Sequence, residues 1–192
     1  MSRRRATRFA VLTVLLSFAT SLFSVAPAGA TEVDRRIGYR CSSSFGSGSS
    51  DVRIKVTIPD QARAGVKVSA RTVSFSIQVP ADMVEMMRTY GVDSVSAEGR
   101  ASYLVGDLRR PIKNLQIPDT DVPASGGMTL RGTGLAAAFT PEETGTFVVR
   151  VTRRIAATAT AHGGIGDGRS VDLSCAVRRG ESRRLATLQV VR

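Results

Sequence analysis

The chain has one histidine, His162, at the mouth of a glycine-rich run (Gly163-Gly164-Ile165-Gly166-Asp167-Gly168), with Asp167, Ser170 and Asp172 close in sequence. A serine, a histidine and an aspartate are the parts of a nucleophilic hydrolase. That chemistry needs the serine presented on a strained elbow and the three side chains converging from separately placed elements. No Gly-x-Ser-x-Gly elbow is present, so His162 reads as a turn-flanking side chain in solvent. The glycine-rich run opens no helix and lacks the trailing Gly-Lys-Ser/Thr of a phosphate loop, so its glycines read as a hairpin connection that uses positive φ.

The acids pair as Asp119/Asp121, Glu142/Glu143 and Asp167/Asp172. Two carboxylates plus carbonyls can hold calcium, but no EF-hand or repeat pattern organises them. A glycosidase pair is defined by its separation in space, which spacing along the chain does not give. Two cysteines, one histidine and no Cys-x-x-Cys are too few ligands for structural zinc. The expectation is therefore no metal, no cofactor and no catalytic set: a non-enzyme.

Arginine dominates the basic residues, in doublets: Arg35-Arg36, Arg109-Arg110, Arg153-Arg154, Arg178-Arg179 and Arg183-Arg184. Several lie at strand ends. Arg109, Arg110, Arg153, Arg154, Arg178, Arg179, Arg183 and Arg184 would make one basic binding edge if the fold gathered them; otherwise they form a scattered, solvated surface. The formal net charge is +11. Arg3, Arg4, Arg5 and Arg8 supply four of those charges in a stretch without acids, which leaves +7 for residues 31–192. Nucleic acid is not the expected partner, because base-stacking aromatics are scarce and export is expected. The absence of tryptophan also argues against an aromatic sugar platform, while polar recognition of sugars stays open.

The N-terminus reads as an address. A basic Met1–Arg8, an apolar Phe9–Val25 and then Ala26-Pro27-Ala28-Gly29-Ala30 match a secretory signal peptide cleaved after Ala30. An uncleaved anchor is the competing reading, but the apolar stretch is short and carries Ser and Thr. The expected organisation is a signal peptide over 1–30 and one domain over 31–192. That domain would be exported, have no transmembrane anchor after cleavage, and be free or wall-associated outside the cell. Export permits a disulfide. Val171, Leu173, Cys175 and Val177 alternate on one buried face, so Cys175 points inward. A Cys41–Cys175 bridge would close a loop of about 135 residues and contribute about 4–5 kcal/mol in the loop-entropy model.

The elements that must position these residues are mostly strands. Val52–Ile58 alternates cleanly. Val66–Val79 carries two phases, which predicts a bulge or turn at Arg71-Thr72. Pro80–Tyr90 switches to helical period, with Met83, Val84, Met87 and Tyr90 at core spacing and Gly91 as a stop. Val95–Val105 alternates through Ala97, Gly99 and Ala101, small residues that imply close backbone approach or a flat packing surface. Residues 42–50 (SSSFGSGSS) read as a flexible loop, as do 118–127. Strands are expected at Ile112–Ile117, Met128–Gly132, Leu135–Phe139, Phe147–Val151, Ile155–His162, Ser170–Val177 and Leu185–Val191.

Nine or ten short strands with one helix predict an all-β, immunoglobulin-like β-sandwich, though without the core tryptophan of antibody domains. The chain also resembles a family of secreted actinobacterial β-sandwich domains without assigned function. The resemblance rests on Tyr39-Arg40-Cys41, Val79-Pro80, Gly91-Val92-Asp93-Ser94-Val95, Val122-Pro123-Ala124-Ser125-Gly126, Phe139-Thr140-Pro141, and Cys175 followed by Leu185-Ala186-Thr187-Leu188. It implies fold and export and carries no catalytic signature. The functional expectation is a structural or binding module at the cell envelope that contacts anionic wall polymer or a protein. A secreted hydrolase, or an inhibitor presenting a loop to an enzyme, are the alternatives.

Overall fold

A computed structural model describes residues 29–44 and 46–192; most of the signal-peptide reading lies outside them. Among the described residues eleven strands form in chain order: β1 (Ala30–Ser43), β2 (Gly46–Pro59), β3 (Gln61–Arg63), β4 (Arg71–Val79), β5 (Ser94–Val105), β6 (Leu108–Asp121), β7 (Met128–Ala136), β8 (Gly145–Val151), β9 (Arg154–His162), β10 (Ser170–Val177) and β11 (Arg184–Val191). One helix, α1 (Ala81–Thr89), lies between β4 and β5.

The chain is all-β as expected, but it is not a sandwich. The sheet runs β5-β6-β7-β4-β2-β1-β10-β9, and β9 pairs back onto β5, closing an eight-stranded barrel. The closing seam is antiparallel over Ser94–Arg100 of β5, with Ala97 opposite Ala159 and Gly99 opposite Ala157. Sandwiches and barrels share the same inward–outward alternation. Only the meeting of these two edges distinguishes them here, and the small side chains on both strands let the edges meet.

Strand length is the second correction. β1, β2 and β6 each run 14 residues, long enough to serve different partners along their length. The Ser/Gly segment expected as a loop is mostly strand: β1 and β2 pair from Ala30–Pro59 through to Ser43–Gly46. Likewise β6 extends to Asp121, so the 118–127 loop begins only after it. In β6 a register shift falls between Lys113 and Gln116, where Asn114 takes a φ of 50°. This bulge explains how Ile112, Leu115 and Ile117, which are not in phase, all line the interior.

The C-terminal part of β5 leaves the barrel seam and pairs with β8 (Tyr103 opposite Val151), which pairs with β11, which pairs in parallel with β3. This flap closes the barrel where β5 ends. Leu188 (0% exposed) and Val190 pack into one core with Ile37, Tyr39, Ile54 and Val149. At the opposite end α1 is the lid. Pro80 is its N-cap residue and Gly91, at φ 69°, follows its C-cap Tyr90. Val84 is buried against Val79, Val92, Val95 and Met128. Helical spacing singled out Met83, Val84, Met87 and Tyr90, but only Val84 and Met87 reach this core; Met83 and Tyr90 are exposed. The two phases of Val66–Val79 do belong to separate pieces of chain, but the break comes earlier than Arg71-Thr72: those two residues are regular β4 strand opposite Ala136 and Leu135, the turn lies at 64–66, and Val68 makes only an isolated bridge to Phe139.

Cys41 and Cys175 are direct cross-strand partners on β1 and β10 and are joined by a disulfide. The bridge ties the first strand to the penultimate one. No helix among the described residues is long and apolar enough to cross a membrane.

Candidate functional site: a hollow apolar interior

The two sides of the barrel differ in side-chain size. β2 and β4 send in Val52, Ile54, Val73 and Phe75, while β5 and β9 send in Ala97, Gly99, Ala101 and Ala157. Large residues on one wall opposite small ones on the other leave an apolar cavity of about 150 Å³. It is bounded by Tyr103, Val149, Val151 and Leu188 toward the flap. Interiors are normally packed to crystal density, and their voids seldom exceed a water molecule. A cavity of this size with a mostly apolar lining suits a benzene-sized or short acyl group.

Glycines place the lining. A Cβ on Gly132 would sit 2.2 Å from the Phe75 ring, and one on Gly99 would sit 2.7 Å from Leu115. Each glycine is the space a neighbouring lining side chain occupies. Two tyrosines bring the only phenols into this core. Tyr103 donates to the Ala137 carbonyl and meets Phe139 edge-on at 6.4 Å. Burial raises its pKa. Tyr39 is 2% exposed, and burial pushes its phenol up to about 12, against a smaller opposing effect of the Arg183 charge.

His162 does not meet the residues near it in sequence. Asp167 accepts from the Gly163 amide, Ser170 bonds Thr160, and Asp172 accepts from Thr158. Instead His162 Nε2 lies 3.0 Å from Ser96 Oγ on β5 and 3.8 Å from Asp119 on β6. A hydrolase relay needs serine and aspartate on opposite ring nitrogens. Here both approach the same one. Ser96 carried no sequence signal and Asp119 stood out only as half of the Asp119/Asp121 pair, because both reach His162 only through the barrel seam and the β5–β6 pairing.

Among the described residues no three His, Cys, Asp or Glu side chains converge as metal ligands. The arginines divide. Arg178 pairs with Asp51 at 2.9 Å and Glu181 at 3.0 Å and lies across Gly38. Arg183 donates to the Val151 carbonyl and Arg184 to Thr187. Arg110 stands opposite Tyr103. Arg109, Leu104, Arg150 and Arg184 occupy one row across β6, β5, β8 and β11. In that row Arg150 is already paired with Asp107. Arg153 lies in the bend between β8 and β9, Arg154 opens β9, and Arg179 follows β10.

The family model described as a family of unknown function (DUF6801) matches residues 38–186. No curated protein and no solved structure matches the chain.

Proposed function

Since the chain belongs to this family of unknown function, its role must come from its own geometry, and we propose that it is an exported, non-enzymatic barrel that binds an apolar group at the cell envelope. The observation that carries this reading is the 150 Å³ apolar cavity inside a closed eight-stranded wall. Eight-stranded barrels have interiors just wide enough to be filled by side chains or to hold one small ligand. Small residues on β5 and β9 select the second outcome here. Export rests on the three-part N-terminal pattern, and the Cys41–Cys175 bridge supports an oxidising location. The non-enzymatic part rests on the geometry of His162, whose one nitrogen faces both Ser96 and Asp119.

The test is a titration of methyl-labelled protein with toluene and, separately, with hexanoate, followed by NMR. Saturable shifts confined to methyls of Ala101, Ile112, Leu115 and Val151 are expected. If neither probe moves those methyls at millimolar concentration, the interior is not a binding site.

A further inference from the structure

A second concavity lies on the outer face of the same wall. Register across β1, β10, β9 and β5 places residues in rows that point away from the core. One row runs Arg40, Ala176, Arg154; the next runs Ser42, Ser174, Ala156, Arg100; the third runs Asp172, Thr158, Glu98. All ten side chains are exposed. The second and third rows, with Ser43 and Ser44, line a groove of about 530 Å³, within the size range of small-molecule sites.

We propose that this groove binds an acidic saccharide, with the sugar hydroxyls against the serines, Glu98 and Asp172 and the carboxylate or phosphate substituent against Arg100, toward the adjacent row that holds Arg40 and Arg154. The proposal is independent of the interior cavity. Three features of the groove select this ligand class. First, the lining is rich in hydroxyls and carboxylates, the groups that exchange hydrogen bonds with sugar hydroxyls. Ser42 donates to the Ser174 carbonyl and Thr158 to Asp172, which orients these groups before a ligand arrives. Second, the guanidinium groups of Arg40, Arg100 and Arg154 have no hydrogen-bond or ion-pair partner among the described residues, unlike Arg53, Arg150 and Arg178, each of which is held by a carboxylate. Arg100 lines the groove itself, while Arg40 and Arg154 lie in the row beyond it; an unspent guanidinium fits a planar carboxylate or a phosphate, which arginine can engage through two parallel bonds. Third, the charges are sorted along the groove. Glu98 and Asp172 share one row, Arg100 shares the next with Ser42 and Ser174, and Arg40 and Arg154 occupy the row beyond. A neutral sugar would leave the arginine end unused, and a free anion would leave the serine and carboxylate end unused.

The site was hidden in the sequence. Arg40 and Arg100 stand alone rather than in doublets, and Arg154 reaches them only through β10 and the barrel seam. Of the three, the doublets pointed only to Arg154.

The experiment is calorimetric titration of the disulfide-bonded protein with four probes: an oligogalacturonide, its methyl ester, galactose 1-phosphate and inorganic phosphate. The expected result is binding of at least one acidic sugar, and which of the two binds more tightly identifies the anion. Esterification, and each of Arg100→Gln and Arg154→Gln, should weaken binding about ten- to a hundredfold, the loss of one charge-assisted hydrogen bond. Ser174→Ala should weaken the sugars and leave inorganic phosphate unaffected. An unchanged melting temperature in the arginine variants is expected, because these side chains hold nothing in the fold. Equal affinity for the methyl ester would overturn the role of the arginines. Inorganic phosphate binding as tightly as the sugars would reduce the site to an anion site. No binding of any probe at millimolar concentration would overturn the proposal outright.

Discussion

Ala101→Leu separates a hollow interior from a filled one by the sign of its effect. Ala101 lies on β5, opposite Ile112 of β6, and lines the cavity. Leucine adds three carbons. If they enter a 150 Å³ void, the gain is about 0.8 kcal/mol per buried carbon, or about 2.4 kcal/mol. Fixing the leucine rotamer costs about 0.5–1 kcal/mol, which leaves a net stabilisation of about 1.5 kcal/mol. If the interior were packed to ordinary density, the same substitution would overfill it and cost about 1–3 kcal/mol. The two cases therefore differ by about 2.5–4.5 kcal/mol, beyond the error of a denaturant titration. The assay is guanidinium unfolding of the disulfide-bonded protein with and without toluene. The expected variant has a higher midpoint, an unchanged slope, and no further rise when toluene is added. A lower midpoint in the variant, or a toluene-dependent rise equal to that of the parent, would refute both the cavity and its role.

Three further outcomes follow from named contacts. Replacing both cysteines by serine should cost about 5 kcal/mol, because the bridge spans 134 residues of sequence and loop entropy sets that scale; comparison of unfolding curves for the oxidised parent and the variant checks it. Alkaline stability should fall between pH 10, where an unfolded tyrosine ionises, and about 12, where Tyr39 does. The buried phenol stays protonated in the fold while the unfolded chain loses its proton, so the contribution is complete below pH 10 and about 2–3 kcal/mol is lost by pH 12; Tyr39→Phe should flatten that part of the pH–stability curve. Gly132→Ala should destabilise by about 1–3 kcal/mol, since its Cβ would meet Phe75 at 2.2 Å and the Gln116 carbonyl at 2.5 Å; a thermal midpoint equal to the parent's would show that the Phe75 ring can move aside.

Local patterns were legible where a single strand or helix determines them. The alternation around Cys175 placed it inward, and the inward face of β10 then met β1 at Cys41. The change of period at Pro80 gave the helix, and the glycine run gave the β9–β10 connection. What failed were readings that depend on a second strand. Ser42, Ser43 and residues 46–50 are the small residues of a loop, yet they are held as strand by the pairing of β1 with β2. Ile112 and Ile117 look out of phase until Asn114 takes its left-handed conformation. The choice between sandwich and barrel lies in the seam between β5 and β9, strands separated by three others in sequence.

The most informative signal was the one that sequence reading left open. Ala97, Gly99 and Ala101 alternate with the polar Glu98, Arg100 and Ser102, and Ala157, Ala159 and Ala161 alternate with Thr158, Thr160 and His162. Small residues facing inward on two strands do two things once those strands pair. They let the edges come together, which closes the barrel, and they leave the interior unfilled on that side, which makes the cavity. The polar residues between them must then face outward side by side, which brings Glu98, Thr158 and Asp172 into one row and Ser42, Ser174 and Arg100 into the next. Closure, cavity and groove are thus consequences of one pattern. Enlarging the inward residues along this seam should disturb the interior before it touches the groove, whereas changing the outward ones should alter the groove alone.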